Sequence, residues 1–340
     1  MEVVREMTSR IAWLSKRDCS VVVGYGDFTA VSELPVDGVA FYKSDFSSEN
    51  THPWLVPARW ERLTSHGFVE KFGSGKVPDI QWDTPDAMPF SEVFQDVMTS
   101  IRQGIIEKTV PVVTERGRSD EPMMAGAIAA MARQSAPLHS YGWVSDEDGF
   151  AGATPELLFS LKGRSLETMA LAGTARQDDE AVFGVDEKEI REHEYVAQTL
   201  VAKLADLGVL KRREREILSL GTIVHFLTGI AVTLESEQEP QRLLRRLHPT
   251  PALGPLPRTD QTMAMLAAWR EHLDCPKEFG APFGLWDNGE FEAVVAIRGL
   301  WWEGNKVSLP AGCGVIEASR LVNEWRELRL KREAVKGFLK

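Results

Sequence analysis

The chain is poor in cysteine, in long apolar runs and in positive charge. Its three cysteines, Cys19, Cys275 and Cys313, are far apart and odd in number. Neither a disulfide framework nor a Cys-x-x-Cys metal site follows from them. No apolar stretch approaches the roughly 18–20 residues that span a bilayer. The N-terminus lacks a signal-like pattern, so a cytoplasmic protein with no membrane partner is expected. Neither a phosphate-binding P-loop nor a GxGxxG turn is present, and no repeat or low-complexity tract interrupts the chain. Acidic residues outnumber basic ones by 50 to 39, a net charge of −11. That balance argues against nucleic acid as a partner. It leaves a small anionic substrate open, because local basic residues decide that.

What remains is a 340-residue chain, 43% hydrophobic and 26% charged, enough for one large domain. Residues 1–85 alternate short apolar runs with Pro, Gly and Ser, the pattern of strands and loops. From Pro89 to Ile106 apolar residues recur at helical spacing, with Ser91 as an expected cap and Gly104 as a stop. "KTVPVVTERGR" reads as one strand and "MMAGAIAAMARQ" as a helix. Residues 138–175 carry the turn signals of a meander, Asp148-Gly149 and Lys162-Gly163. A helix is expected over Lys188–Leu207, and a charged one over Leu321–Leu339. Strand runs with helices inserted between them indicate an α+β fold rather than regular βαβ alternation.

Several residues carry more than structure. Glu156 follows Thr154-Pro155 and precedes Leu157, Leu158 and Phe159. A carboxylate there is headed for burial and needs a partner or a task. Glu189 and Glu192 in "KEIREH", and Glu324 and Glu327 in "NEWREL", are spaced to share one face of a helix each. Two such pairs could hold a hard cation such as Mg2+, although either pair alone is ordinary on a solvated helix. Arg298 stands in the apolar run "VVAIRGL", where a guanidinium needs an anion. Gly312 and Gly314 bracket Cys313 and would let backbone N–H groups approach a second oxyanion. Lys108 enters an apolar strand, where a lysine can be turned into a base. His225 and Lys331 read on their own as a strand histidine and a helix lysine.

Taken in order, "GATPELL", "MALAGTA", "KEIREHEYV", "LHPTPALG", "FGAPFGLWDNGEFEAVVAIRG", "LPAGCGVI" and "NEWRELRLK" resemble the chorismate-utilising enzymes. That family includes anthranilate, aminodeoxychorismate, isochorismate and salicylate synthases. The resemblance covers roughly residues 85–335. It implies one α+β domain over 1–340, with 1–85 a shortened variable part of the sheet core and 86–340 catalytic. Two orthogonal antiparallel sheets would pack face to face with helices outside. It also implies that Glu156 is the general acid at the C4 hydroxyl of chorismate. Glu189, Glu192, Glu324 and Glu327 would surround Mg2+, with Lys331 nearby. Arg298, Gly312 and Gly314 would clamp the enolpyruvyl carboxylate. His225 would line the ring pocket, and Thr174, Ala252, Leu253 and Phe279 would also bind substrate.

The subfamily turns on a few positions. Lys108 aligns with the lysine that activates water at C2 in isochorismate and salicylate synthases. Ala172 stands where aminodeoxychorismate synthases carry a lysine, and no "LLES"-type tryptophan motif is present. Water addition is therefore expected, without an obligatory glutamine amidotransferase. Ala252, Leu253 and Phe279 resemble isochorismate synthases more than salicylate synthases. An isomerase that releases isochorismate, acting as a monomer, is the expectation. Salicylate synthase, an ammonia-using synthase and a non-catalytic chorismate-binding scaffold are the alternatives. Pro111 and Glu115 depart from the family pattern around Lys108, and Leu253-Gly254-Pro255 lacks the usual second glycine.

Overall fold

The computed structural model describes residues 10–340; residues 1–9, the start of the expected strand-and-loop region, lie outside it. Antiparallel pairing joins 17 strands into one hydrogen-bonded network, with a separate two-stranded ladder beside it. Helices are inserted between strand runs, as the α+β expectation requires. Among the described residues no helix is long and apolar enough to cross a membrane.

The three largest apolar clusters among the described residues hold strands and helices together. The largest packs Phe41, Trp54, Phe159, Phe283 and Phe291 against the helix Glu187–Leu204 through Val196 and Leu200. A second gathers Trp13, Phe68, Met131 and Trp302 under the helix Met123–Ala132. A third sets Phe90, Val97 and Trp269 against Leu328 of the C-terminal helix Leu321–Gly337. Each fully buried large side chain contributes about 1.5–3 kcal/mol over its exposed state.

Some local expectations need correction. Ala87, not Ser91, is the N-cap residue of the helix Met88–Arg102, and Ser91 makes no capping bond; the Met88 N–H donates to Asp86 Oδ1 instead, at 2.9 Å. Gly104, at φ +71°, does end it. The helix Ser65–Phe72, capped by Thr64, falls where only strands and loops were expected. The strand through "KTVPVVTERGR" is two, Lys108–Thr109 and Val112–Ser119, divided at Pro111. Arg298 is not mid-strand: it sits between Glu290–Val295 and Gly299–Glu303 with φ +57°.

Glu115 gains a structural explanation. From the strand Val112–Ser119 it reaches Arg332 at 3.1 Å and Lys336 at 2.7 Å, tying the C-terminal helix to the sheet. Both Glu115 and Arg332 are buried.

Candidate active site

The cavity is built from interruptions in the sheet. Strand Asp148–Thr154 pairs with Gly299–Glu303, and Leu157–Lys162 pairs with Glu290–Val295. Both ladders break at the same level, so Pro155-Glu156 and Ile297-Arg298 face across one gap. Backbone bonds lock its rims: Ala153 N–H to the Arg298 carbonyl at 3.1 Å, and Val295 N–H to the Glu156 carbonyl at 3.0 Å. A second double break places Pro111 beside Cys313-Gly314, where the Val112–Ser119 and Lys306–Gly312 pair hands over to Lys108–Thr109 and Val315–Ile316. A third interruption is a β-bulge. Gly173 and Thr174 together oppose His225, between the pairs Ala172–Phe226 and Ala175–Val224. Gly173 permits it with φ +77°.

The gap is lined by Glu156, Thr174, His225, Ala252, Leu253, Phe279, Arg298, Gly312, Gly314 and Lys331, with Glu192 at one side. Every residue expected to bind substrate is therefore in one place. Lys108 stands just behind this lining. A side-chain carbon at Gly314 would fall 3.0 Å from Lys108 Nζ and 1.9 Å from Glu192 Oε1, so any larger residue there would have to displace the Glu192 carboxylate. Glu189, Glu324 and Glu327 do not line the gap. They line an adjoining outer cleft of about 930 Å3, and Thr174 borders both spaces.

Several of the polar groups are held by identifiable partners. Lys108 is fully buried; its Nζ donates to the Pro251 carbonyl at 2.5 Å and lies 3.6 Å from Glu192 Oε1. Burial pulls its pKa below the ordinary lysine value, against the opposing pull of Glu192. Burial also pushes Glu156 up to about 7, although Lys108, Lys331 and Arg298 favour its ionised form. His225 Nδ1 lies 2.7 Å from the Gly173 carbonyl, which can only accept, so Nδ1 carries the proton. Its bare Nε2 then accepts from Arg298 Nη2 at 2.8 Å. Burial, and after it the Arg298 charge, hold this imidazole neutral by pushing its pKa far down. Arg298 itself is lowered to about 10 by burial, and its Nη1 is buried without a partner. A buried guanidinium with an open donor is a binding site for an oxyanion.

The acidic wall comes from two helices. Glu189 Oε2 accepts from the Thr174 N–H at 2.9 Å, and Lys331 donates to the Gly312 carbonyl at 2.9 Å and pairs with Glu327 at 2.6 Å. Burial pushes the Glu324 and Glu189 carboxyls up, Glu192 adding to the effect at Glu189. Glu192 moves the other way, because Lys188 and Lys108 outweigh its burial. Among the described residues, no three His, Cys, Asp or Glu side chains close on one point at metal-ligand spacing. Lys188 stands between them instead, 2.9 Å from Glu189, 2.9 Å from Glu192 and 3.5 Å from Glu324. The donor set nonetheless suits a hard divalent cation: it is all carboxylate oxygen, and Glu324 Oε2 is buried without a hydrogen-bond partner.

Sequence reasoning passed over two neighbours of the site. Thr250, whose hydroxyl favours the ionised form of Glu156, sits in a proline-flanked loop with no periodic signal. Lys188 lies inside a motif that was noticed, but a lysine beside glutamates on a helix normally signals only a wet surface.

A cavity that offers an anion-seeking arginine and a neutral-prone carboxyl, beside an acidic cleft, is suited to a small, charged acid. The sequence profile of the chorismate binding enzyme family matches residues 57–340, and the chain belongs to that family. It is 30% identical over 214 residues to isochorismate synthase MenF of Bacillus subtilis, covering 56% of this chain and 43% of that one. It is 31% identical over 265 residues to the salicylate biosynthesis isochorismate synthase of Pseudomonas aeruginosa, covering 72% and 53%. The chain thus spans about half the length of these relatives. Its fold matches the menaquinone-specific isochorismate synthase MenF of Escherichia coli with a TM-score of 0.82 at 20% identity, over 99% of this chain and 90% of that one.

Proposed function

We propose that the protein is an isochorismate synthase, which adds water at C2 of chorismate and releases the C4 hydroxyl. The observation that carries this reading is Glu156, a carboxyl pushed up to about 7 in the same cavity as an arginine with a free buried donor. An acid poised near neutral pH can protonate a leaving hydroxyl. Arg298 takes one substrate carboxylate, presented by the His225 imidazole that accepts its other donor. Lys108, stripped of part of its basicity by burial, withdraws a proton from a water on the Gly314 side of the cavity, where its ammonium stands beside Glu192. The Gly312 carbonyl and Glu327 fix Lys331 at the cavity edge. Glu189, Glu192, Glu324 and Glu327 would hold Mg2+, which supplies an anchor for the second substrate carboxylate. The relatives' names and the aliphatic Ala172, where an aminating lysine would stand, support water rather than ammonia as the nucleophile. No amidotransferase is needed for that chemistry.

The test is incubation with chorismate and Mg2+, followed by chromatography with mass detection. A product of unchanged mass and new retention time, without pyruvate, supports the reading. Salicylate with pyruvate would move it to salicylate synthase. Faster consumption with ammonium salts would move it to the aminating enzymes. Unchanged chorismate, with and without ammonium salts, would leave a binding scaffold.

A further inference from the structure

We infer that Lys188 is a built-in competitor for the divalent cation, an ammonium that must leave the carboxylate cluster before a metal ion can enter. The inference rests on the reading of Glu189, Glu192, Glu324 and Glu327 as the metal site. Lys188 lies in the first turn of the helix Glu187–Leu204 and is largely buried. Its Nζ meets Glu189 and Glu192 on its own helix and Glu324 on the C-terminal helix. It therefore bridges the same two elements that a metal ion would bridge. Mg2+ requires carboxylate oxygens at about 2.0–2.1 Å. An ammonium 2.9 Å from Glu192 Oε2 and 3.5 Å from Glu324 Oε1 occupies that space.

The other two cations of the site are poorly suited to this role. Lys108 is fully buried and anchored to the Pro251 carbonyl, and it approaches Glu192 on the opposite oxygen. Lys331 is anchored to the Gly312 carbonyl and pairs only with Glu327. Lys188 alone of the three also borders the outer cleft. That cleft carries Asp178, Asp179 and Asp186, acids that can receive a displaced ammonium. Metal binding then becomes an exchange of cations. The cluster is never left with four uncompensated carboxylates, and the metal binds more weakly than four acids would otherwise hold it.

The experiment compares the unmodified protein with Lys188→Met and Glu324→Gln, without substrate. Mn2+ binding is followed by electron paramagnetic resonance, and melting is recorded in EDTA and in Mg2+. Lys188→Met should melt lower in EDTA, gain more on adding Mg2+, and bind Mn2+ about tenfold tighter or more. Glu324→Gln should bind Mn2+ more weakly than the unmodified protein. Equal or weaker Mn2+ binding by Lys188→Met, with the unmodified protein binding normally, would overturn the exchange and leave the metal site standing. Failure of all three proteins to bind Mn2+ would remove the metal site and the exchange with it. Should Lys188→Met not fold, reductive methylation of the unmodified protein gives the same answer. Lys188 labelling, read by mass spectrometry, should rise on adding Mg2+, and unchanged labelling would overturn the proposal.

Discussion

The wall of the cavity and the acidic wall of the cleft that adjoins it are made in different ways. The wall with Glu156, His225 and Arg298 comes from interruptions in strands, and each group stands alone with partners fixed by the backbone or a single side chain. The acidic wall comes from two helices, and its four carboxylates repeat at a spacing of three with three lysines between them. A strand break aims one side chain at one point and offers no replacement. A helix pair gives overlapping donors that share a charge. The first wall should therefore fail on single substitutions, whereas the second should weaken by degrees.

The largest expected effects fall on the acid and the base. Lys108→Ala or Glu156→Gln should lower kcat by about 10²–10⁴-fold, the usual worth of one proton-transfer group, with KM for chorismate little changed. On the proposed mechanism Glu156 must keep its proton in the unmodified protein. Its pKa is raised, so activity should be lost as pH rises through about 7, which a kcat/KM profile measures. The same shift makes the native state bind a proton that the unfolded chain releases above its ordinary range near 4.5. Stability from this group is thus full at low pH and declines between about 4.5 and 7. Glu156→Gln should consequently melt no lower than the unmodified protein at pH 8 while losing its activity.

On the acidic wall, Glu189→Gln should raise the Mg2+ concentration for half-maximal rate by about 10–100-fold without abolishing turnover at saturation. A loss as complete as that of Glu156→Gln would erase the contrast between the walls. The smallest effects compare two helix starts remote from the chemistry. Thr259 caps Asp260–His272 in a reciprocal box with Thr262, whereas Ser91 caps nothing. Thr259→Ala should cost about 1 kcal/mol in urea unfolding, and Ser91→Ala should stay within about 0.5 kcal/mol.

The same contrast explains what could be read from the sequence. The helix-borne glutamates announce themselves by spacing, and Arg298 by being charged in an apolar run. The strand interruptions do not, because Pro111 and the Gly173-Thr174 bulge look like lapses inside otherwise continuous strand patterns. That is why Arg298 was expected mid-strand and Lys108 in one unbroken strand. The helix Ser65–Phe72 was hidden by Gly67 and by its short length. Ser91 had the right chemistry for a cap, but the cap position lies four residues earlier, at Ala87, and Asp86 supplies the oxygen.

The central claim is that Lys108 and Glu156 work as a pair to exchange one hydroxyl for a water molecule. The most direct test runs the reaction in H2¹⁸O with the unmodified protein and the Lys108→Ala and Glu156→Gln variants. The account predicts a product with one solvent oxygen at C2 from the unmodified protein, and almost none from either variant. A product without solvent oxygen, or full incorporation by either variant, would contradict it.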